Sequence, residues 1–300
     1  AVMHRSLFGV SHHPYLIYAP DYTPISGGVR VMHLLCHALN ELGYRAILAC
    51  DKTHPQLNTP HCSVSAMPEL CRELQKHGFK PIAVYPEIVH GNPFNALCVV
   101  RYLLNRPGHI GGPIEFDATD ILYAYDDYFV SPGMSAKILT IPTIDPLIYH
   151  NNQPQTERRK VCFYARKYRI FKNKLPPSFH DGHIDLSYPE RPWSVIARIL
   201  QDSRLLYCYE PSGITLEAVL CGCPVAYVLS DYMDAQPAKV FFGENGACTV
   251  PVNTQPTPDD WTHMHRTLGL CTTQYRSMLN KIWGDLDCFA RETQAVAASL

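Results

Sequence analysis

Short apolar runs alternate with helical patterns along this chain. The runs occupy residues 15–19, 45–50, 81–86, 120–125, 137–141, 160–165, 204–209 and 224–229. Between them, apolar residues recur three or four positions apart, as they do in 31–43, 67–78, 95–104, 193–201 and 214–221. Apolar runs of this length predict buried strands, and the three-to-four spacing predicts helices. The alternation of the two predicts an α/β protein with parallel sheets.

The pattern divides near the middle of the chain. Residues 142–155 are polar and rich in proline, and a length of 300 residues suits two domains of about 150 residues each. We therefore expect a first domain over 1–150 and a second over 151–300. Two further helical patterns close the chain, at 259–268 and 273–298, and the last is long enough to pack back on the first domain.

Composition and charge exclude some classes of protein. The hydrophobic fraction of 46% is ordinary for a globular chain, and a net charge of −1 argues against nucleic-acid binding, although residues 158–174 are locally basic. Twelve cysteines are spread through the apolar runs, which is typical of reduced core residues in a cytosolic protein. No apolar signal core follows Ala1 and no apolar run is long enough to span a membrane, so we expect a cytoplasmic protein.

Polar residues and glycines follow several predicted strands of the first domain. In open α/β sheets the carboxyl ends of the strands bind the ligand, and glycine lets the backbone approach it closely. The candidate residues at these positions are Gly27, Gly28, Glu87, His90, Asn92, Tyr125 and Asp126.

The segment 207–229 is the most informative part of the second domain. Glu210 ends a predicted strand, and a turn leads into the helix predicted for 214–221. Gly222 stands where a left-handed helix end favours glycine, and a buried strand follows it. Free backbone N–H groups at the start of the helix attract anions such as a diphosphate. Glu210 and Glu217 bracket that start and can accept hydrogen bonds from sugar hydroxyls.

Segment 207–229 resembles the paired-glutamate donor-site motif of retaining glycosyltransferases with the GT-B fold, of the glycogen synthase and family 4 type. The stretch 84–93 is similar to one found in bacterial surface-polysaccharide glycosyltransferases. The resemblance implies two Rossmann-like domains that face a central cleft, the first for the acceptor and the second for a nucleotide-diphosphate sugar. It implies hexosyl transfer to a glycan or a lipid-linked acceptor, and it leaves open peripheral association with the inner face of the membrane.

The resemblance also assigns roles in the second domain. It implies that Glu217 binds the ribose and that Glu210 lies near the donor sugar. The diphosphate would be bound by Arg166 and Lys167 and by the backbone of Ser212, Gly213 and Ile214. Because basic side chains can replace Mg²⁺ at a diphosphate, we expect no metal and no further cofactor. The turn that holds His180 and His183 is expected to be a surface turn rather than a metal site.

In the first domain, Gly27 and Gly28 are assigned to donor binding, and the acceptor is assigned to Glu87, Asn92 and Tyr125. Asp126 and His90 join Glu210 as catalytic candidates. A retaining enzyme of this type needs no strong protein base, because the acceptor hydroxyl can pass its proton to the leaving phosphate. An inverting enzyme needs a carboxylate or a histidine near the acceptor, and the sequence does not decide between the two.

Two other functions stay open. The family has seven residues between its two glutamates, whereas six separate Glu210 from Glu217. The shorter spacing is compatible with a non-catalytic glycosyltransferase-like module that binds a nucleotide. A sugar-nucleotide epimerase of the same fold is the other alternative. The donor base, the sugar, the acceptor and the oligomeric state cannot be inferred from the sequence.

Overall fold

The chain divides into two units. The computed structural model describes residues 12–172, 175, 177–233 and 242–300. Unit 1 comprises Ala1–Thr143 and Asn280–Leu300, and unit 2 comprises Ile144–Leu279. The boundary at which unit 1 first passes into unit 2, between Thr143 and Ile144, lies inside the polar segment 142–155.

Unit 1 is built on a seven-stranded sheet in which all the strands are parallel. The strand order is β3-β2-β1-β4-β5-β6-β7. The strands are β1 (Tyr15–Tyr18), β2 (Ala46–Ala49), β3 (His61–Cys62), β4 (Ile82–Pro86), β5 (Cys98–Leu103), β6 (Ile121–Ala124) and β7 (Lys137–Ile138). Helix α1 (Gly27–Glu41) follows β1, and α2 (Met67–Lys76) precedes β4. Met67, Cys71 and Leu74 of α2 are buried in the core that covers one face of this sheet.

Unit 2 is built on a five-stranded parallel sheet of order β12-β11-β10-β8-β9. Its strands are β8 (Lys160–Tyr164), β9 (Ile184–Asp185), β10 (Ser203–Cys208), β11 (Val225–Val228) and β12 (Ala247–Val250). Three helices accompany them: α3 (Arg166–Lys172), α4 (Trp193–Asp202) and α5 (Ile214–Leu220). All seven residues of α5 are buried, so this helix is part of the core of unit 2. The predicted fold class, α/β with two units that each contain a parallel sheet, is confirmed.

The last helix, α6 (Pro258–Ser299), is continuous over 42 residues. The sequence predicted two helices with an interruption near Gly269, and that prediction was wrong. A helix-interior glycine costs only about 1 kcal/mol, and the buried stripe continues past it through Cys271 and Tyr275. Residues 280–299 of α6 belong to unit 1, where Phe289 packs against Tyr15 and the Tyr15 hydroxyl lies 2.7 Å from Thr293 Oγ1.

Three other sequence predictions need correction. Residues 95–104, predicted as a helix, contain strand β5, all six residues of which are buried. Burial on both faces removes the polar side that distinguishes a helix from a strand by periodicity. Residues 166–172, predicted as a loop, form α3. Helix α1 begins at Gly27 rather than near Val31, because the Ser26 hydroxyl accepts the Val29 N–H at 3.4 Å and caps the helix.

The cysteines are mostly core residues, as the sequence predicted. Ten of the twelve are buried, and Cys62 and Cys288 are the exceptions. In the part of the chain that the structure describes, no helix is long and apolar enough to cross a bilayer.

Candidate functional site

The candidate site of unit 2 lies at the carboxyl ends of β8 and β10. The two strands are parallel neighbours, with Tyr164 opposite Cys208, and the Tyr209 N–H donates to the Tyr164 carbonyl at 3.0 Å. The segments that leave these strands therefore start side by side. One contains the basic pair Arg166 and Lys167, and the other begins with Glu210.

Glu210 joins the two segments. Its side chain is fully buried, and its Oε2 accepts the backbone N–H of Tyr168 in α3 at 2.9 Å. Among the described residues, its Oε1 has no hydrogen-bond partner. Burial raises the pKa of this carboxyl, while the Tyr168 N–H and the positive charge of Lys167 oppose the rise. The carboxylate is thus fixed against the first turn of α3.

The basic pair lies on that same first turn. Arg166 Nη1 lies 3.7 Å from Glu190 Oε1, and the guanidinium lies over the Tyr188 ring, 5.8 Å from its centroid. About a quarter of the Arg166 side chain stays exposed (26%), and Lys167 is half-buried. Both cations are therefore accessible to a ligand while lying near the Glu210 carboxylate.

The remaining basic residues do not form one surface patch with this pair. Arg169 is bound to Asp185 at 2.7 Å, and Lys160 is bound to Asp202 at 2.7 Å. Arg158 is only 2% exposed. Lys174 lies outside the described residues. The basic residues of 158–174 therefore lie in different surroundings, since Arg158 is buried, Lys160 begins β8 and the basic pair lies on α3.

The turn between β10 and α5 is the most accessible part of the paired-glutamate segment. Ser212 and Gly213 are half-buried, whereas Ile214 and Glu217 are buried. The Ser212 carbonyl accepts the Thr215 N–H at 3.1 Å, which starts the helix. Glu217 lies in the first turn of α5, where the helix dipole favours a negative charge.

Gly222 ends α5 in the left-handed conformation, with φ +78°, as the sequence predicted. A Cβ there would lie 2.6 Å from Arg158 Nη2, so the position requires glycine on both grounds.

In unit 1 the structure brings Gly28 and Glu87 to the same place. Glu87 is 2% exposed, and its Oε2 accepts the Leu104 N–H at 2.9 Å. Leu104 Cδ1 would lie 3.5 Å from a Cβ added to Gly28. Gly27 faces open space, since a Cβ added there meets nothing within 4 Å. The first turn of α1, which contains both glycines, therefore adjoins the end of β5. Gly27 has more free space around it than Gly28.

Most of the other candidate site residues of unit 1 make contacts with nearby residues that hold the local backbone in place. Asn92 Oδ1 accepts the Tyr85 hydroxyl at 3.0 Å, which holds the loop after β4. Tyr125 is buried, and the Asp126 carboxylate accepts the Tyr128 N–H at 2.9 Å. His90 is exposed. Their proposed roles in catalysis and acceptor binding remain predictions.

Sequence reasoning missed a buried aromatic and imidazole cluster in unit 2. His180 is 5% exposed rather than part of a surface turn. Its Nε2 lies 2.7 Å from the Tyr209 hydroxyl, and its Nδ1 lies 3.0 Å from His183 Nδ1. Burial, together with the neighbouring His183, lowers the pKa of His180 to about 4. The packing partners are Phe163 of β8 and Tyr209, which follows β10, and both are distant from His180 in sequence, so no local sequence signal identified the cluster.

Metal binding finds no support in the described parts of both units. No group of three or more His, Cys, Asp or Glu side chains there is placed to hold an ion.

Comparison with known proteins gives similarity at the level of three-dimensional structure. No family model and no curated protein sequence matches the chain. Among solved structures, it is similar to the glycosyltransferase of kitacinnamycin (11% identity, 96% of each chain, TM-score 0.49). It is also similar to the glycosyltransferase SnogD from Streptomyces nogalater (12% identity, 93% of this chain and 100% of that one, TM-score 0.48). A third is WaaG, a glycosyltransferase involved in lipopolysaccharide biosynthesis (11% identity, 95% of each chain, TM-score 0.46). Similarity this low leaves function to be argued from the residues of the chain.

Proposed function

We propose that this chain is a glycosyltransferase that moves a sugar from a nucleotide-diphosphate sugar to a glycan or a lipid-linked acceptor. One observation supports this most directly. The basic pair of α3 and the paired-glutamate segment lie at the carboxyl ends of neighbouring parallel strands, joined by the Tyr168–Glu210 bond between residues 42 positions apart. That edge of a parallel sheet is where α/β proteins bind nucleotides.

The chemistry of sugar transfer suits these residues. As the sugar leaves, negative charge grows on the diphosphate, and fixed positive groups stabilise that transition state. Arg166 can bind a phosphate through two hydrogen bonds, while Lys167 supplies a point charge. The half-buried turn at Ser212 and Gly213 offers backbone groups beside them, and we assign the ribose to Glu217. Basic side chains at the diphosphate make a metal ion unnecessary in this proposal.

Unit 1 is proposed to bind the acceptor. Glu87, Asn92 and Tyr125 follow its strands, with Gly27 and Gly28 nearby for the donor. In a retaining reaction the leaving phosphate takes the proton of the acceptor hydroxyl, so no protein base is required. In an inverting reaction Asp126 or the exposed His90 would take it.

The biological setting is part of the proposal. The stretch 84–93 is similar to one in surface-polysaccharide glycosyltransferases, and we propose that role for this chain. Such a protein would act in the cytoplasm, at the inner face of the membrane when its acceptor is lipid-linked.

A non-catalytic nucleotide-binding module is the second candidate. It is favoured by the shorter glutamate spacing and by Glu210, whose Oε2 is already bound to backbone.

A donor screen separates these functions. The chain is incubated with uridine, guanosine, adenosine, cytidine and thymidine diphosphate sugars, and released nucleotide is measured beside thermal shift. Nucleotide release that is lost in Glu217→Ala supports the transferase. A thermal shift without release supports the binding module, and interconversion of sugars without release indicates an epimerase. Absence of both binding and release contradicts the proposal.

A further inference from the structure

We propose that Glu210 is a positioning residue. Its buried carboxylate holds the first turn of α3, so that Arg166 and Lys167 are presented to the diphosphate, and it makes no contact with the donor sugar. This inference rests on the proposed function, because the ligand of the basic pair is taken to be a nucleotide diphosphate.

Burial of Glu210 supports a positioning role. The Glu210 carboxylate, at 0% exposed, lies against the backbone of α3 rather than at the surface. Half of the carboxylate is already bound, since Oε2 accepts the Tyr168 N–H at 2.9 Å. The neighbouring rings strengthen this attachment, because Tyr168 packs against Tyr209 with ring centroids 5.1 Å apart.

The charge of α3 supports the same role. Two of its first residues, Arg166 and Lys167, are cations, and its first turn contains no acidic residue. Cations at the start of a helix are unfavourable, because the helix dipole is positive there. A helix of seven described residues also has little stability of its own. Glu210, in the segment that follows β10, supplies the missing negative charge together with an acceptor for a first-turn N–H.

The accessible surface lies on the two cations rather than on the carboxylate. Arg166 and Lys167 are partly exposed, whereas the carboxylate that anchors their helix is not. A ligand can therefore touch the cations directly and meets Glu210 only through them. Loss of Glu210 should weaken the phosphate contacts and leave contacts to the nucleoside and the sugar unchanged.

The test compares Glu210→Gln with Glu210→Ala in the full chain. Glutamine keeps an oxygen that can accept the Tyr168 N–H, whereas alanine removes it. Glu157→Ala, at an exposed glutamate of the same unit, is the matched control. Two properties are measured: the rate of tryptic cleavage within 166–172, and the affinities for a nucleoside, its diphosphate and the corresponding sugar conjugate. The nucleotide is the one that binds the wild-type chain most tightly.

The expected result has two parts. Glu210→Ala should be cleaved within α3 about tenfold faster or more, which corresponds to loss of one charge-assisted hydrogen bond. It should also bind the diphosphate and the sugar conjugate more weakly by equal factors, with nucleoside affinity unchanged. Glu210→Gln should stay within about threefold of the wild type in both measurements, which corresponds to a small free-energy difference. Glu157→Ala should match the wild type.

Two results would overturn the inference. One is a Glu210→Gln variant with intact α3 that loses affinity for the sugar conjugate alone, since that assigns Glu210 to the sugar. The other is an unchanged rate of α3 cleavage in Glu210→Ala. If Glu210→Ala does not fold, the sugar selectivity of Glu210→Gln decides alone. A wild-type chain that binds no nucleotide contradicts the proposed function instead, and the cleavage rates still show whether Glu210 holds α3.

Discussion

Replacing Arg158 by methionine should destabilise unit 2 more than any change at an exposed arginine. The guanidinium is 2% exposed and donates five hydrogen bonds of 2.7–3.2 Å. The acceptors are the carbonyls of Leu200, Ser203, Gln153 and Cys221 and the side chain of Asn151. Methionine keeps much of the volume but supplies no donor.

The magnitude follows from those acceptors. Leu200 lies in the last turn of α4, and Cys221 caps the end of α5, so both carbonyls carry the negative end of a helix dipole. A hydrogen bond to a charged group contributes about 1.5–3 kcal/mol, and an unpaired buried acceptor costs about 1–3 kcal/mol. Partial relaxation prevents these from adding fully, so we expect Arg158→Met to cost about 3–5 kcal/mol. Arg159→Met, at the exposed neighbour, should cost less than about 0.5 kcal/mol.

Urea unfolding measures this difference. The chain has three tryptophans, and a Trp283→Phe background leaves Trp193 and Trp261, both in unit 2, as fluorescent probes. The free energies of unfolding of Arg158→Met and Arg159→Met are compared in that background. A cost below about 1 kcal/mol for Arg158→Met, or equal costs for the two variants, would show that the buried hydrogen bonds do not stabilise the unit as argued.

Two further predictions concern an open glycine and a buried imidazole. Gly27→Ala has room for its methyl group and should gain up to about 1 kcal/mol of helix stability. If the ligand lies against this backbone, the variant should bind nucleotide sugar at least about tenfold more weakly. Calorimetric affinities test this prediction, and an unchanged affinity would remove Gly27 from the site. Because the pKa of His180 is lowered to about 4 from 6.5, the unfolded chain binds its proton first as the pH falls. Unit 2 should therefore lose stability from pH 6.5 towards pH 4, by up to about 1.4 kcal/mol per pH unit, and His180→Phe should reduce that slope in urea titrations. An identical slope in the variant contradicts the assignment to His180.

Local sequence signals predicted much of unit 2. The strand that precedes Glu210, the helix after it, the left-handed Gly222 and the strand that follows were all found, because each depends on neighbouring residues. Helix α3 was not found. Its start depends on Glu210, which is 42 positions away from Tyr168, and no local pattern contains that contact.

The burial and hydrogen bonding of the candidate residues could not be predicted from the sequence either. Glu87 and Glu210 stood at strand ends like ordinary ligand-binding residues, yet both are buried and accept backbone N–H groups. Arg158 belongs to a basic stretch of the sequence, yet it is buried and donates hydrogen bonds to carbonyls at the ends of α4 and α5. Burial of a polar side chain is decided by strands and helices distant in sequence. Composition and spacing therefore predicted which of these residues follow strands but not the contacts that they make.

Binding of nucleoside diphosphates to the purified chain would show whether unit 2 contains a donor site. Calorimetric titration with each diphosphate and with its nucleoside would be made at low and high salt, on the wild type, Arg166→Ala and Glu217→Ala. We expect saturable binding of one diphosphate that weakens with salt. Arg166→Ala should reduce the preference for diphosphate over nucleoside, and Glu217→Ala should weaken binding about ten- to hundredfold while the fold is kept. Diphosphate binding no tighter than nucleoside binding, or equal affinities in the wild type and both folded variants, would contradict a donor site at the carboxyl ends of β8 and β10.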